Sequence, residues 1–209
     1  MTGLVAGVDV GGTFTDLVIF DPATGAVRLA KVPTTLPNQS GGVLNAFREA
    51  GADLAQIDLI VHGTTTTTNA VLERQLAKTG LITTMGFRDV LELGRRTRPQ
   101  AYGMHGHFTP IIPRDLRLEI PERMDAQGRV VTPLDEAALV TAVRHLRDAG
   151  CEALVIHFLH VYANPAHELR AAEIAAQNWP NDYITLGHKL LSESREYERG
   201  VTAAVNASV

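Results

Sequence analysis

The sequence has little cysteine, no long apolar run and no strong excess of one charge. A single cysteine, Cys151, excludes an internal disulfide bond and is typical of a protein from a reducing cytoplasm. No apolar run approaches the roughly 18 to 20 residues that cross a bilayer, so we expect no membrane span. The net charge of -4, from 19 basic and 23 acidic residues, gives no electrostatic reason to expect nucleic acid as the main partner.

The composition is instead that of a globular protein. The chain has 209 residues, of which 45% are apolar and 20% charged, and it is long enough to bury a sizeable core. That length fits one large domain or two small ones. The first residues carry no basic segment and no signal-peptide cleavage site, so we expect a mature, cytoplasmic protein.

The first 84 residues show a change from strand patterns to alternating helix and strand patterns. Short β-branched runs, broken by Gly11-Gly12 and by a turn over 21–25, predict an antiparallel meander of three strands within residues 1–32. The segments that follow are a helix capped by Ser40, a buried strand over 57–61, a helix over 69–78 closed by Gly80, and a strand over 81–84. This order predicts an α/β fold with a mixed sheet, in which β/α units follow the meander.

The second half begins with an irregular, glycine- and proline-rich stretch. Residues 94–132 predict a long loop and a second hairpin, formed by 116–124 and 129–131. The later segments are a helix from Asp135 to Asp148 ended by Gly150, a central strand over 153–158, a helix from Pro165, a strand over 183–186 and a helix from Ser194. We predict one domain over 1–193 with 94–132 inserted in it.

The last helix predicts that the polypeptide continues. Its apolar residues recur at helical spacing without a stop signal, at Tyr197, Val201, Ala204, Val205 and Val209. We therefore interpret 194–209 as the start of a connecting helix to a second domain, and the chain as part of a longer polypeptide.

The strongest chemical signal is Asp9-Val10-Gly11-Gly12-Thr13-Phe14-Thr15-Asp16. A turn centred on Gly12-Thr13 places Asp9 opposite Asp16, and two like charges in that position favour a divalent cation or a phosphate-bound Mg²⁺ between them. The glycines let a phosphate approach the backbone, and the Thr13 and Thr15 hydroxyls are possible donors to it. The alternative is an ordinary hairpin with two solvated aspartates.

A second signal is His62-Gly63-Thr64-Thr65, where a strand meets a helix. Backbone amides and the positive end of the helix favour an anion there, the threonine hydroxyls add donors, and His62 can act as an acid, a base or a donor. The alternative is that the threonines only end a strand and cap a helix.

Two other groups of side chains are weaker candidates. The arginine cluster at 95–98 suits a substrate carboxylate or carbonyl, because the guanidinium fork matches planar oxyanions, but it is equally consistent with a solvated loop. His105 and His107 lie in a glycine-rich loop with few carboxylates nearby, so we do not expect a metal site there.

The octapeptide resembles the first phosphate motif of the actin, sugar kinase and Hsp70 ATPase superfamily, whose first domain has a ribonuclease H-like fold with the same order of elements. Within it, the sequence resembles the hydantoinase A/5-oxoprolinase family, which includes acetone and acetophenone carboxylase subunits. The segments that carry this resemblance cover nearly the whole chain in the family's order: 7–16, 62–65, 68–74, 79–84, 86–95, 121–123 and 195–199.

The resemblance implies an ATP-dependent enzyme that hydrolyses a cyclic amide, a hydantoin or 5-oxoproline, or carboxylates a ketone, by way of a phosphorylated intermediate. Asp9, Asp16 and His62 would be catalytic, with Mg²⁺ at the two aspartates, and Arg95 would contact the substrate. Phosphate binding falls to the remaining motif residues, Gly11, Gly12, Thr13, Thr15, Gly63, Thr64 and Thr65.

The implied partners are a second subunit of the hydantoinase B type and the rest of the polypeptide. Two alternatives remain open at this point: a small-molecule kinase of the same superfamily, which would release a phosphorylated product, and a non-catalytic nucleotide-binding or assembly module without turnover.

Overall fold

The computed structural model describes residues 3–35, 38–95, 102 and 109–209. The chain divides into two compact units, Met1–Gln75 and Leu76–Val209. Each unit has its own four-stranded sheet and at least one helix packed on it. The predicted α/β class with a mixed sheet is confirmed, whereas the actin-like assignment and the domain boundary after residue 193 stay predictions.

The first unit is a sheet with strand order β3-β2-β1-β4. Neighbouring strands are antiparallel from β3 to β1, and β4 lies parallel to β1. The elements are β1 (Leu4–Val10), β2 (Phe14–Phe20), β3 (Val27–Pro33), α1 (Gln39–Glu49), β4 (Ile57–Thr64) and α2 (Thr66–Leu72).

One face of this sheet packs on α1 and forms the core of the unit. Because side chains alternate along a strand, every second residue of β1 and β2 enters that core. The buried apolar residues are Ala6, Val8, Val10, Leu17, Ile19, Ala46 and Phe47. We call this face the inner face and the opposite one, which carries Asp9 and Asp16, the outer face.

Four details of the first 84 residues differ from the sequence predictions. The cap of α1 is Asn38, whose Oδ1 accepts a hydrogen bond from the Ser40 amide at 3.2 Å. The α2 helix ends at Leu72, because Arg74 takes a positive φ of 57° and closes the helix with a turn, so Gly80 lies inside a strand instead of after a helix. The strand predicted to be buried, β4, is exposed at the edge of the sheet.

The second unit is a parallel sheet with strand order β10-β9-β5-β6. Its strands, with a separate two-stranded hairpin of β7 and β8, are β5 (Thr79–Thr84), β6 (Arg117–Ile120), β7 (Arg123–Met124), β8 (Val130–Thr132), β9 (Ala153–His157) and β10 (Ile184–Leu186). The predicted hairpin is therefore shorter than expected. Its first part, Arg117–Ile120, pairs with β5 because apolar residues there enter the parallel core.

Helices cover both faces of this parallel sheet. They are α3 (Val90–Leu93), α4 (Glu136–Asp148), α5 (Ala166–Ala176), α6 (Gly187–Leu190) and α7 (Glu196–Ser208). Leu146 of α4 contacts the face that carries Gly80, whereas Ser208 of α7 bonds to Thr79 on the other face, at 3.2 Å between the hydroxyl oxygens. As predicted, Asp135 caps α4, accepting from the Ala138 amide at 2.9 Å.

Burial on both faces explains the apolar sequences of the two central strands. Leu81 and Ile82 of β5 and 153–156 of β9 are all buried, as parallel strands between two helical layers must be. Cys151 lies in the same core, and burial raises the pKa of its thiol, so it is a packing residue. Within the described ranges, no helix has the length and apolar character of a membrane span.

His157, at the end of β9, is a buried ionisable group in this unit. Its ring is 3% exposed and lies between Gly187 and Gly200. Neither ring nitrogen has a hydrogen-bond partner among the residues described here, and the Glu196 carboxylate lies 3.8 Å from Nε2. Burial lowers the pKa of His157 to about 4, although the charge of Glu168 opposes that shift and Arg199 adds to it.

Two strand glycines, one in each unit, make a matched test of side-chain packing. A Cβ on Gly80 would lie 2.8 Å from a Leu146 methyl carbon in the packed core, whereas a Cβ on Gly7 would meet nothing within 4 Å. We expect Gly80→Ala to lower the free energy of unfolding by about 1 to 3 kcal/mol through overpacking, and Gly7→Ala to change it by less than about 0.5 kcal/mol. Urea unfolding followed by circular dichroism measures both, and Trp179 fluorescence reports on the second unit, which contains Gly80; equal effects would contradict the assigned packing.

His157 makes stability depend on pH. The unfolded histidine titrates near 6.5 and the native one near 4, so the unfolded state binds more protons in between. The contribution of His157 to the free energy of unfolding is fully present above pH 6.5. It is lost as the pH falls toward 4, by roughly 3 kcal/mol in total.

The measurement is the urea midpoint between about pH 4 and about pH 7, in the wild type and in His157→Leu. Glu196 acts in the opposite direction, because burial raises its pKa, so the difference between the two proteins isolates the histidine. We expect the urea midpoint to fall less at acid pH in His157→Leu than in the wild type. In His145→Gln, which alters an exposed histidine of α4, the fall should be unchanged. An identical pH profile for the wild type and His157→Leu would contradict the buried neutral state.

Candidate functional site

The first candidate segment forms the turn between β1 and β2. The register pairs Asp9 with Asp16 and Val10 with Thr15, which confirms that the two aspartates are opposite each other. Residues paired in this way have Cβ atoms about 4.5 to 5.5 Å apart on one face of the sheet. The two carboxylates therefore share the outer face beside the turn.

The two aspartates differ in their partners. Asp16 forms an ion pair with Lys31, directly opposite on β3, at 3.0 Å between Nζ and Oδ1. The carboxylate of Asp9 has no hydrogen-bond or ion-pair partner within the part of the chain that the structure describes. On its other side lies Gly63, where an added Cβ would be 3.9 Å from Asp9 Oδ1. Asp9 is thus an exposed, uncompensated carboxylate between Asp16 and a glycine.

The parallel pairing of β1 with β4 brings the second candidate segment to the same turn. The Thr65 amide and the Thr64 hydroxyl both donate to the carbonyl oxygen of Val10, each at 3.2 Å. Thr65 Oγ1 is also 3.8 Å from the position of a Cβ on Gly11. Gly11, Gly12, Gly63, Thr64 and Thr65, separated by about fifty positions in sequence, therefore lie together.

Two predicted site residues are placed elsewhere. Thr15 is fully buried on the inner face, and its hydroxyl bonds to that of Thr34 at 3.0 Å. His62 pairs with Val8, so its exposed side chain is on the inner side of the sheet, opposite to the aspartates. Their proposed roles stay predictions, but neither side chain is on the outer face with Asp9 and Asp16.

The structure adds two residues that sequence reasoning missed. Lys31 neutralises Asp16, and the register of the meander was the signal that could have identified it. Asn69 lies beside the turn: its Nδ2 is 3.1 Å from the position of a Cβ on Gly12 and donates to Thr65 Oγ1 at 3.4 Å. Its spacing of four residues from Thr65 on one helical face is the corresponding sequence signal.

The carboxylate oxygens at the turn suit a metal ion that is bound together with a phosphate group. Among the described residues no cluster of three or more His, Cys, Asp or Glu side chains could enclose a metal ion. Mg²⁺ usually keeps several waters and binds one or two carboxylates together with substrate phosphates. Asp9 and Asp16 therefore suit a Mg²⁺ ion that arrives with phosphate.

Arg95 belongs to the second unit and has a carboxylate partner there. Its Nε donates to Glu198 Oε1 at 2.6 Å. Burial acts to raise the pKa of Glu198, but a backbone hydrogen bond and Arg95 outweigh it, so the pKa lies below the ordinary value. The pair borders an open groove of about 770 Å³ that Tyr197 and Arg195 also line. The other arginines of the cluster, with His105 and His107, lie outside the described residues.

The carboxyl edge of the parallel sheet in the second unit holds two pairs of a buried glutamate and a histidine. Glu122 binds His167 at 2.8 Å, and Glu168 binds His188 at 2.6 Å between the pairing atoms. Glu168 also accepts from the Phe158 amide at 2.9 Å, and Thr84 accepts from the Leu159 amide at 3.1 Å. These contacts lie within the fold and hold the segment after β9.

The chain matches known proteins over most of its length. Residues 5–179 match the hydantoinase/oxoprolinase N-terminal region. The chain is 38% identical to the acetophenone carboxylase gamma subunit of Aromatoleum aromaticum over 96% of its own length and 30% of that protein. The chain spans about three-tenths of the length of three of the curated relatives it matches, and less than a fifth of the length of the 5-oxoprolinases.

Two solved structures have the same fold. A nucleotide-free acetone carboxylase, from work on ATP-dependent acetone carboxylation, matches with a TM-score of 0.87 and 27% identity, over 100% of this chain and 32% of that one. The ATP-dependent caprolactamase of Pseudomonas jessenii matches with a TM-score of 0.80 and 33% identity, over 98% of this chain and 31% of that one. On its sequence and its fold, the chain belongs to the hydantoinase/oxoprolinase family and corresponds to that family's N-terminal region.

Proposed function

We propose that this chain provides the first phosphate-binding segment of an ATP- and Mg²⁺-dependent enzyme. That enzyme would hydrolyse a cyclic amide, a hydantoin or 5-oxoproline, or carboxylate a ketone, through a phosphorylated intermediate. The observation that carries the proposal is the Asp9 carboxylate, which has no partner among the described residues and lies opposite Asp16 and beside a Gly-Gly turn. ATP dependence of the two structural relatives supports it.

The residues of the turn would have separate roles in binding a nucleotide phosphate. Gly11 and Gly12 leave the backbone open to a close approach, and Thr13 is exposed beside them. Asp9 and Asp16 would hold Mg²⁺, which neutralises phosphate charge when it is bound. Because Lys31 already forms an ion pair with Asp16, Asp9 is the carboxylate whose negative charge is more available to the metal. Thr15, which is buried, is the least suited of the proposed phosphate ligands.

The remaining parts of the proposal lie outside the turn. Arg95 would contact the substrate only after exchanging its Glu198 partner for a substrate carboxylate or carbonyl. Relatives named as an alpha, a beta and a gamma subunit support assembly with a second subunit, in addition to further polypeptide of the same chain. We propose that this assembly works in the cytoplasm.

Asp9→Asn is the direct test of the metal role. It keeps the size of the side chain and removes its charge, so in the complete enzyme we expect kcat for ATP hydrolysis to fall by about 100-fold or more. The Mg²⁺ concentration needed for half-maximal rate should also rise. Asp58→Asn is the control, because Asp58 lies at the opposite end of the sheet and binds the Gly3 amide. If the two variants have equal rates, Asp9 is not a metal ligand.

Gly12→Ala tests the phosphate role of the turn. The new methyl group would lie 3.1 Å from Asn69 Nδ2, so it crowds the surface that a phosphate would approach. We expect KM for ATP to rise by about tenfold, which corresponds to about 1.4 kcal/mol. Asn69→Ala in the same chain should recover part of that loss by removing the clash. Gly7→Ala, on the preceding strand β1, is the matched control; no change in KM for Gly12→Ala would argue against phosphate at this turn.

Product analysis separates the proposal from a kinase. Incubation of the complete enzyme with ATP and each candidate substrate should yield ADP, inorganic phosphate and an opened or carboxylated product. A stable phosphorylated product would instead identify a kinase. Nucleotide binding without turnover on any of the three substrate classes would favour a binding module.

A further inference from the structure

The connections of the second unit's parallel sheet diverge between its two central strands. In the strand order β10-β9-β5-β6, the chain runs from β5 to β6 in one direction and from β9 to β10 in the other. Open parallel sheets bind ligands outside the carboxyl ends of the strands at such a divergence, because the connections move apart there and leave a crevice. The carboxyl ends of β5 and β9 are therefore the place in this unit where a ligand is expected.

The segments that follow β5, β6 and β9 are tied to one another at this edge. Glu119 Oε1 of β6 accepts from the Gly86 amide at 2.8 Å, which holds the segment after β5. The side-chain amide of Asn164 donates to the Gly128 carbonyl oxygen at 2.8 Å, which fastens the β7-β8 hairpin to the segment after β9. Side chains from all three segments are thus brought to one edge of the sheet.

Arg123, the first residue of β7, carries an available positive charge at this edge. Its guanidinium carbon lies 4.7 Å from the centroid of the Phe87 ring, so the ring supports the guanidinium. Within the described ranges, its side chain has no hydrogen bond and no ion pair. In contrast, the nearby Arg129 pairs with Asp125 at 2.7 Å. The N–H groups of Arg123 are available to a planar anion, which accepts two parallel hydrogen bonds from a guanidinium.

His160, in the segment after β9, supplies a second polar group. It has a positive φ of 56°, an uncommon backbone conformation for a residue with a side chain. Its carbonyl oxygen accepts from the Ala163 amide at 2.9 Å and so closes a turn. Glycine or asparagine would form this turn at least as well. The turn alone therefore does not account for a histidine at this position.

The ring of His160 is close to Tyr162 and is affected by the charge of Arg123. Nδ1 lies 3.3 Å from the Tyr162 hydroxyl oxygen. In the tautomer in which that hydroxyl donates to Nδ1, Nε2 carries a hydrogen and can donate to a ligand. Burial lowers the pKa of His160, and the charges of Arg123 and Arg199 lower it further, so the ring is neutral near pH 7. A neutral donor near a cation suits an anionic ligand.

A buried ion pair supports the segment that carries this ring. Arg199 is fully buried and pairs with Glu196, whose other carboxylate oxygen accepts from the His160 amide at 3.1 Å. Arg199 also donates to the Phe158 carbonyl oxygen at 3.3 Å, and its guanidinium carbon is 5.7 Å from the centroid of the Tyr162 ring. The segment is thus held in place before a ligand arrives, which lowers the ordering cost of binding.

We propose that Arg123, His160 and Tyr162 bind a small carboxylate at the carboxyl edge of this sheet. Arg123 would donate to both carboxylate oxygens, His160 Nε2 would donate to one of them, and Tyr162 would hold the imidazole in that tautomer. The carboxylates of Glu122 and Asp125 also act here, where they oppose the effect of the arginines on His160. Surroundings of mixed charge favour a singly charged carboxylate over a doubly charged phosphate.

This site belongs to the second unit and goes beyond the proposed function, because it involves no nucleotide. Carboxylates nevertheless occur among the substrates and products of the proposed reactions. The substrate 5-oxoproline has a carboxylate, and opening of a cyclic amide or carboxylation of a ketone creates one. The occupant would be a small molecule of this class.

Calorimetric titration of the 209-residue chain with 5-oxoproline, acetoacetate and acetate tests the proposal. We expect saturable binding of at least one of them. The matched amide, which lacks the charge-assisted pair, should bind at least about tenfold more weakly. Binding should also shift the His160 ring nitrogen signals in NMR spectra, which locates the ligand. The proposal is overturned if no carboxylate binds saturably, if the amide binds equally well, or if inorganic phosphate binds more tightly than every carboxylate.

Arg123→Gln and Arg129→Gln form a matched pair of variants. Both remove a guanidinium close to the β7-β8 hairpin, but Arg129 is exposed and already paired with Asp125. We expect the carboxylate affinity to fall at least about tenfold in Arg123→Gln and to stay unchanged in Arg129→Gln. Equal losses in the two variants would show an effect of general surface charge and would overturn the site.

His160→Asn separates binding from folding. Asparagine favours the left-handed conformation, so the urea midpoint should not fall. The carboxylate affinity should still decrease about fivefold, because the Nε2 donor is lost. Unchanged affinity in this variant would overturn the role of His160. If Arg123→Gln does not fold, the comparison of carboxylate with amide in the wild type decides the result. No nucleotide is present in these titrations, so their outcome is independent of the Asp9→Asn comparison.

Discussion

The antiparallel register between β1 and β2 is the constraint on which the candidate site depends. Side chains alternate along each strand, so a shift of one residue would exchange the inner and outer faces. The observed register places Asp9 and Asp16 together on the outer face and their neighbours Val10 and Thr15 in the core. The same packing that buries Val10 therefore exposes the two carboxylates.

The second strand pairing extends that constraint to a distant segment. Parallel pairing of β1 with β4 fixes Thr64 and Thr65 on the carbonyl of Val10, next to the glycine turn. Small residues fit best there, because Asn69 Nδ2 and the Phe14 carbonyl oxygen lie 3.1 Å from the positions of Cβ atoms on Gly12 and Gly11. The surface beside Asp9 is thus kept free of side chains, which suits an anionic ligand with its metal.

The second unit differs from the first in the coverage of its sheet and in the surroundings of its ionisable side chains. Its parallel sheet is covered on both faces, and at its carboxyl edge Glu122 pairs with His167 and Glu168 pairs with His188. Burial keeps His157 neutral, between two glycines that leave room for its ring. The candidate phosphate-binding turn therefore lies in the first unit, whereas the second unit carries the Arg95-Glu198 ion pair.

The sequence by itself determined the local features. The α/β class, the position of Asp135 at a helix start, and the opposition of Asp9 and Asp16 across the Gly-Gly turn all follow from short-range rules of periodicity, capping and hairpin register. Family membership was also accessible, because the motifs are spread in order along the chain.

Only the tertiary structure decided which distant groups meet. It paired Lys31 with Asp16 and brought Asn69 to the turn. Strand pairing also turned His62 away from the aspartates. Residues 117–120 joined the parallel sheet instead of a hairpin, because long-range burial outweighed their proximity to 129–131. Contacts of this kind depend on which strands become neighbours, and a local pattern of residues does not specify that choice.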